Sequence, residues 1–199
     1  MTDWNQRYEN GDTPWDKGHA APPLSEIIAR LPTSVWGSGQ ILIPGCGTGH
    51  DVRAIASLGV NPIGLDLAPL AIARAGEFPK TGNESYELGD FLDSSWRAGK
   101  RFSAIWEHTC YCAIDPSRRP DYATACKELI APGGHLIGVF FLTPNEPGEE
   151  DEGPPFNTSI TELDARLAPE FDRIDSWVPQ TCYPGREGKE WVAIYKRNP

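Results

Sequence analysis

Between residues 41 and 52 the chain reads ILIPGCGTGHDV, an apolar run that breaks into glycines at alternate positions, Gly45, Gly47 and Gly49. Glycine supplies unusual dihedrals and lets backbone come close to a ligand, so a glycine turn after a strand marks a binding position. The spacing is GxGxG, whereas a dinucleotide turn reads GxGxxG, and Asp51 stands in the first turn of the helix that follows. A carboxylate there disfavours a pyrophosphate at the helix N-terminus and suits a ligand without phosphate. Asp66 ends a second apolar run, IGLD, 21 residues after Gly45. An acid there can accept from ribose hydroxyls or cap the next helix, and its register with the glycine turn favours the ribose. A third run ends in LGDF, where Asp90 could accept from an exocyclic amine and the Phe91 N–H donate to a ring nitrogen. Asp90 taken alone is also an ordinary turn residue.

These residues need elements that place them side by side. Helical spacing of apolar residues covers 24–31, 49–58 (stopping at Gly59), 68–75, 116–130 and 159–167. Strand-like runs cover 40–43, 60–65, 85–88, 102–106, 135–142, 171–178 and 191–196. Strands alternating with helices predict an α/β domain with a parallel sheet covered on both faces. The last two strands flank a turn-rich PGREGK and predict an antiparallel hairpin at one edge. Two segments read as irregular, 1–23 with Trp4, Tyr8 and Trp15, and 143–158, rich in Pro, Gly and acid. Both read as attachments to one domain spanning 1–199.

Composition narrows the partners. With 18 basic against 28 acidic residues the formal net charge is -10, which argues against nucleic acid and anionic membrane surfaces. No apolar stretch reaches the ~20 residues that span a bilayer, and the N-terminal stretch lacks a signal-peptide pattern. A cytoplasmic protein is the default. Five cysteines without CxxC spacing and four dispersed histidines predict neither a disulfide framework nor a metal site.

The succession ILIPGCGTG, IGLD, LGDF and FSAIWE resembles the motif series of class I S-adenosylmethionine-dependent methyltransferases. More narrowly, WNQRYENGDTPWDKG from Trp4, PGCGTGHD, EHTCYCAIDPSRRPDY and GPPF at 153–156 resemble the thiopurine S-methyltransferase family, in particular its plant and bacterial thiol and halide methyltransferase branch. The resemblance implies a three-layer Rossmann-like fold with a mostly parallel seven-stranded sheet and an antiparallel C-terminal hairpin. It implies S-adenosylmethionine as cofactor, S-adenosylhomocysteine as product, a small-molecule acceptor and a monomer. Trp4, Tyr8 and Trp15 would lid the cofactor, since a sulfonium near aromatic faces gains ~0.5–2 kcal/mol. Gly45 and Gly47 would contact its aminoacyl part, Asp66 and Leu67 the ribose, and Asp90 and Phe91 the adenine. His108 falls where relatives place a cofactor contact, as Tyr or Arg.

Methyl transfer from a sulfonium is an in-line displacement that needs close approach and exclusion of water. A soft anion such as a thiolate, hydrosulfide, halide or thiocyanate needs no strong base. The candidates on the acceptor side are His19, Glu107, His108, Cys110, Tyr111, Arg119 and Phe156. Glu107 would orient the cofactor's amine or act as base, His19 and Arg119 are the further catalytic candidates, and Arg119 would attract an anion. Phe156 stands where some relatives carry Tyr. A thiopurine, an aromatic thiol or a selenium or tellurium species are alternative acceptors. A nicotinamide-dependent oxidoreductase and a non-catalytic cofactor-binding module are the competing classes.

Overall fold

The computed structural model describes residues 2–149 and 152–199. Met1 of the expected arm, and Glu150 and Asp151 of the expected acidic loop, lie outside the described residues. Seven strands form one sheet in the order β3-β2-β1-β4-β5-β7-β6. They are β1 Gln40–Pro44, β2 Asn61–Asp66, β3 Ser85–Leu88, β4 Phe102–His108, β5 Ile130–Phe141, β6 Phe171–Trp177 and β7 Glu190–Arg197. The first five are mutually parallel, while β7 runs antiparallel to both β5 and β6.

Neighbouring residues of a strand serve opposite faces. Ile41 and Ile43 pack with Trp106, Ile137 and Val192 beneath α2 (Pro22–Arg30) and α3 (His50–Ala56). Leu42 joins Ile105, Leu136 and Phe140 beneath α6 (Arg119–Leu129) and α7 (Ile160–Leu167). Burial on both faces explains why β1 and β4 read as near-continuous apolar runs. The strand order reverses between β1 and β4, and such a reversal opens a crevice at their carboxyl ends. The glycine turn leaves β1 there, and Glu107, His108 and Thr109 arrive there from β4.

Several elements depart from expectation. The 116–130 segment begins with a 3-10 turn over Pro116–Arg118, and α6 stops at Leu129. Ile130 already pairs with Phe102, and the pairing resumes at His135 opposite Ala104, so APGG is an irregularity within β5 rather than a loop before it. The N-terminal arm contains a helix, α1 (Trp4–Glu9), capped by Asp3, which accepts from the Gln6 N–H at 3.0 Å. It packs on α4 (Pro69–Glu77), so a tertiary surface supplies what six residues cannot supply alone. A short α5 (Ser94–Arg97), capped by Asp93, follows the LGDF run. No helix among the described residues is long and apolar enough to cross a membrane.

Gly49 closes the glycine turn at φ 79° and caps α3. A Cβ there would lie 2.6 Å from the Tyr86 hydroxyl oxygen, and Arg53 donates to that hydroxyl at 3.2 Å. Gly49→Ala is expected to lower the unfolding free energy by about 1–3 kcal/mol through the left-handed φ and the displaced ring, measured by urea denaturation.

Candidate active site

The turn after β1 is pinned to the neighbouring strand. The Cys46 N–H donates to the Leu65 carbonyl at 3.0 Å, and the Gly47 N–H donates to Asp66 Oδ2 at 2.9 Å. Asp66 Oδ1 accepts from the Ala68 N–H at 2.9 Å. One carboxylate therefore joins the glycine turn to the start of α4. Burial pushes the Asp66 carboxyl above its ordinary range, and the N–H groups of Ala68 and Gly47 offset that only in part. Gly45 sits at φ 62° with Cys110 Cβ only 3.3 Å from where its own Cβ would be. A side chain there would crowd the β4 loop.

Above this floor lies a cavity of about 520 Å³, with Gly45, Gly47, Asp66, Leu67, Asp90 and Phe91 in its wall. The arm covers it: Trp4, Tyr8 and Trp15 line it as well. Trp15 meets Trp4 and Tyr8 edge-on at 5.3 and 5.8 Å and donates to the Tyr8 hydroxyl at 3.3 Å. The arm is fastened on both sides. Arg74 of α4 donates to the Tyr8 carbonyl at 2.9 Å, and Asp16 accepts from the Thr48 hydroxyl at 2.8 Å and meets His50 Nε2 at 3.1 Å.

The opposite end of the cavity is formed by Cys110, Cys112, Phe141, Pro154, Pro155 and Arg186. Burial pushes the Cys110 thiol well above its ordinary value and the Cys112 thiol up to about 12, so both are protonated packing groups. Arg186 donates to Glu190 Oε1 at 2.9 Å, and its guanidinium lies 4.5 Å over the Phe141 ring. Sequence reading passed over Arg186, because PGREGK carries only turn chemistry. Its place on the cavity follows from β7 lying beside β5.

Four candidates line neither this cavity nor the smaller one behind the glycine turn. Glu107 is 1% exposed; Oε1 accepts from the Cys110 and Tyr111 N–H groups at 2.9 and 2.8 Å, and Oε2 from the Tyr122 hydroxyl at 2.9 Å. Burial raises its pKa against those donors. Through these three donors Glu107 anchors the loop after β4. Arg119, 2% exposed, donates to Glu162 at 3.0 and 3.2 Å and to the Asn157 carbonyl at 3.0 Å. It is a strut for the 153–158 segment, not an open cation. The Tyr111 hydroxyl donates to the same Glu162 at 3.2 Å. The Phe156 N–H donates to the Cys112 carbonyl at 2.7 Å, leaving Pro154 and Pro155 as the lip.

His19 and His108 lie instead on a smaller cavity of about 60 Å³ behind the glycine turn, with Tyr183. Asp51 is there too, and its charge does not face the main cavity. Its oxygens accept from the Ala21 N–H at 2.7 Å and Trp106 Nε1–H at 2.8 Å, and meet His108 Nδ1 at 3.1 Å. The expected repulsion of a diphosphate by Asp51 is therefore corrected: the carboxylate is turned inward, where the buried donors need it.

A glycine turn after β1, carboxylates ending β2 and following β3, and a seven-stranded sheet with an antiparallel last strand define a class I S-adenosylmethionine-dependent methyltransferase. The chain belongs to the thiopurine S-methyltransferase family, whose model, "Thiopurine S-methyltransferase (TPMT)", matches residues 1–180. It is 32% identical over 200 residues to "Probable thiol methyltransferase 2" of Arabidopsis thaliana, spanning 98% of this chain and 84% of that one. It is 33% identical over 199 residues to "Thiocyanate methyltransferase 1" of the same plant, with the same coverage. Among solved structures it is similar to N-methyltransferase NodS from Bradyrhizobium japonicum WM9 in complex with S-adenosylhomocysteine. The TM-score is 0.71 and the identity 17%, covering 97% of each chain.

Two outcomes test the site's supports. Arg119→Met leaves Glu162 with Arg166 as its remaining cation, 2.8 Å away, and is expected to cost about 1–3 kcal/mol in urea denaturation. Burial pushes the Asp51 carboxyl up, but His108 and the N–H donors outweigh it and hold the group below its ordinary value. Such a group stabilises fully above the unfolded pKa of ~3.9 and loses that contribution as pH falls through the folded value. The wild-type urea midpoint is expected to drop more than that of Asp51→Asn as pH is lowered from 5 to 3.

Proposed function

We propose that this methyltransferase acts on a small soft sulfur nucleophile, a thiol, hydrosulfide or thiocyanate, and extends to halides. The observation that carries the reading is the 520 Å³ cavity itself, where Cys110, Cys112, Phe141, Pro154 and Pro155 stand in the wall with the Arg186 guanidinium, and Arg7 and Arg118 line it as well. Apolar walls desolvate a polarisable sulfur, and Arg186, whose charge is balanced by Glu190, offers its remaining N–H groups to an anionic one. The similarity to enzymes named for thiol and thiocyanate methylation supports the same class of acceptor.

The residues fit the cofactor. The glycine turn lets backbone approach, Asp66 keeps lone pairs for ribose hydroxyls, Asp90 and Phe91 flank an adenine position, and the three aromatics of the arm suit a sulfonium. When bound, the cofactor supplies an electrophilic methyl group. The chain's part is to hold acceptor and methyl in line beneath the closed arm and to keep water out. We read residues 1–199 as a single domain and monomer, with 1–23 as its lid and 143–158 as the loop flanking the acceptor.

Isothermal titration is expected to give S-adenosylhomocysteine binding that weakens tenfold or more in Asp66→Ala. Headspace gas chromatography of separate incubations with methanethiol, sulfide, thiocyanate and iodide is expected to detect the methylated product. If only an aromatic thiol were turned over, the acceptor would be of the thiopurine kind. Arg186→Met paired with Glu190→Gln removes both charges together, and should raise the thiocyanate KM about 10–100-fold.

A further inference from the structure

The buried imidazole of His108 has a use that cofactor binding does not require. Its Nδ1 lies 3.1 Å from Asp51 Oδ2. Asp51 is an ionised acceptor, so Nδ1 must carry the proton. Asp51 is itself fixed by Trp106 Nε1–H at 2.8 Å and the Ala21 N–H at 2.7 Å. Nε2, the ring's other nitrogen, is buried without a hydrogen-bond partner among the described residues. A buried polar atom without a partner calls for an explanation, and catalysis is one of the few available. A carboxylate that fixes an imidazole through Nδ1 also stabilises the imidazolium that forms when Nε2 takes a proton.

Place and surroundings fit that use. His108 lines the 60 Å³ cavity, which is large enough for water, and the next residue, Thr109, lines both this cavity and the main one. Thr109 holds φ 61°, a left-handed conformation that a threonine rarely adopts. Gly45 and Gly47 likewise belong to both walls. Tyr183 lies against the His108 ring at 5.9 Å, and burial keeps its hydroxyl protonated. Tyr8, Asp16, Lys17, His19, Cys46 and His50 complete the charged and titratable groups of the small cavity, and Glu107 precedes His108 on β4.

Resting on the sulfur-methylation reading, we propose that His108, oriented by Asp51, is the general base for neutral thiol acceptors. The acceptor sulfur forms its bond to the methyl group, and the pair of the broken carbon–sulfur bond stays on the cofactor's sulfur. The thiol proton passes to Nε2 through one water in the small cavity, and leaves later to solvent. Thiocyanate carries no proton and has no need of the base. His108 thus widens the acceptor range from anions to protonated thiols near neutral pH.

The test compares methanethiol with thiocyanate from pH 6 to 9. In the wild type, kcat/KM for the thiol should rise far less with pH than the thiolate fraction, which grows tenfold per pH unit below the thiol's pKa. In His108→Gln the thiol-to-thiocyanate ratio at pH 7 should fall about 100-fold, and thiol turnover should then climb with thiolate. Titration with S-adenosylhomocysteine should give the same affinity for both proteins within about threefold. The proposal is overturned if wild-type thiol turnover tracks the thiolate fraction, a result that needs no variant. It is equally overturned if both acceptors decline together as cofactor affinity weakens, which would make His108 a binding residue. A wild type that binds no S-adenosylhomocysteine overturns the methyl-transfer reading itself, while thiocyanate turnover with an unchanged ratio overturns only this assignment.

Discussion

Turns at the carboxyl end of a parallel sheet present backbone N–H groups that no adjoining strand can pair, and in this chain buried carboxylates take them up. Asp66 holds the Gly47 and Ala68 N–H groups, Glu107 holds those of Cys110 and Tyr111, and Asp51 holds that of Ala21. Burying a carboxylate without donors would cost far more than a domain's net stability could absorb. Each of these acids is therefore tolerated by the turn it organises, and each turn is held by its acid. The cavity floor, the loop after β4 and the root of the arm all follow from this exchange.

Much of the fold was legible because burial on both faces writes continuous apolar runs into β1, β2 and β4, and because proline and glycine punctuate the helices between them. The class of cofactor was legible from Gly45, Gly47 and Asp66, whose spacing is local. What the residues did not reveal was direction. Glu107 and Arg119 look like chemistry in a string of letters, yet both point into the protein and meet partners 15 and 43 residues further along. Arg186 looks like a turn and lines the cavity. A side chain's orientation depends on which strands become neighbours, and β7 beside β5 is a tertiary fact without a local signature. Helix α1 was missed for the same reason, since its stability comes from α4.

The two sides of the cavity differ in how they are held. The wall at the glycine turn rests on backbone and short carboxylates, which fix position closely. The wall at Arg186 rests on long side chains and a proline lip, braced from behind by Arg119 and Glu162. Such a division suits an enzyme whose methyl donor is constant and whose acceptor is selected by a few side chains.

Chain order and sheet order part company at the last strand. β7 follows β6 along the chain but stands between β5 and β6, and it supplies Glu190, the partner of Arg186. During synthesis β6 emerges with no strand to join, and β5 waits with an open edge until the final strand slides between them. The wall that holds Arg186 therefore closes only once β7 has joined the sheet. The cost is an interval in which two bare strand edges face the cell, a period when a nascent molecule is most in need of protection from its neighbours.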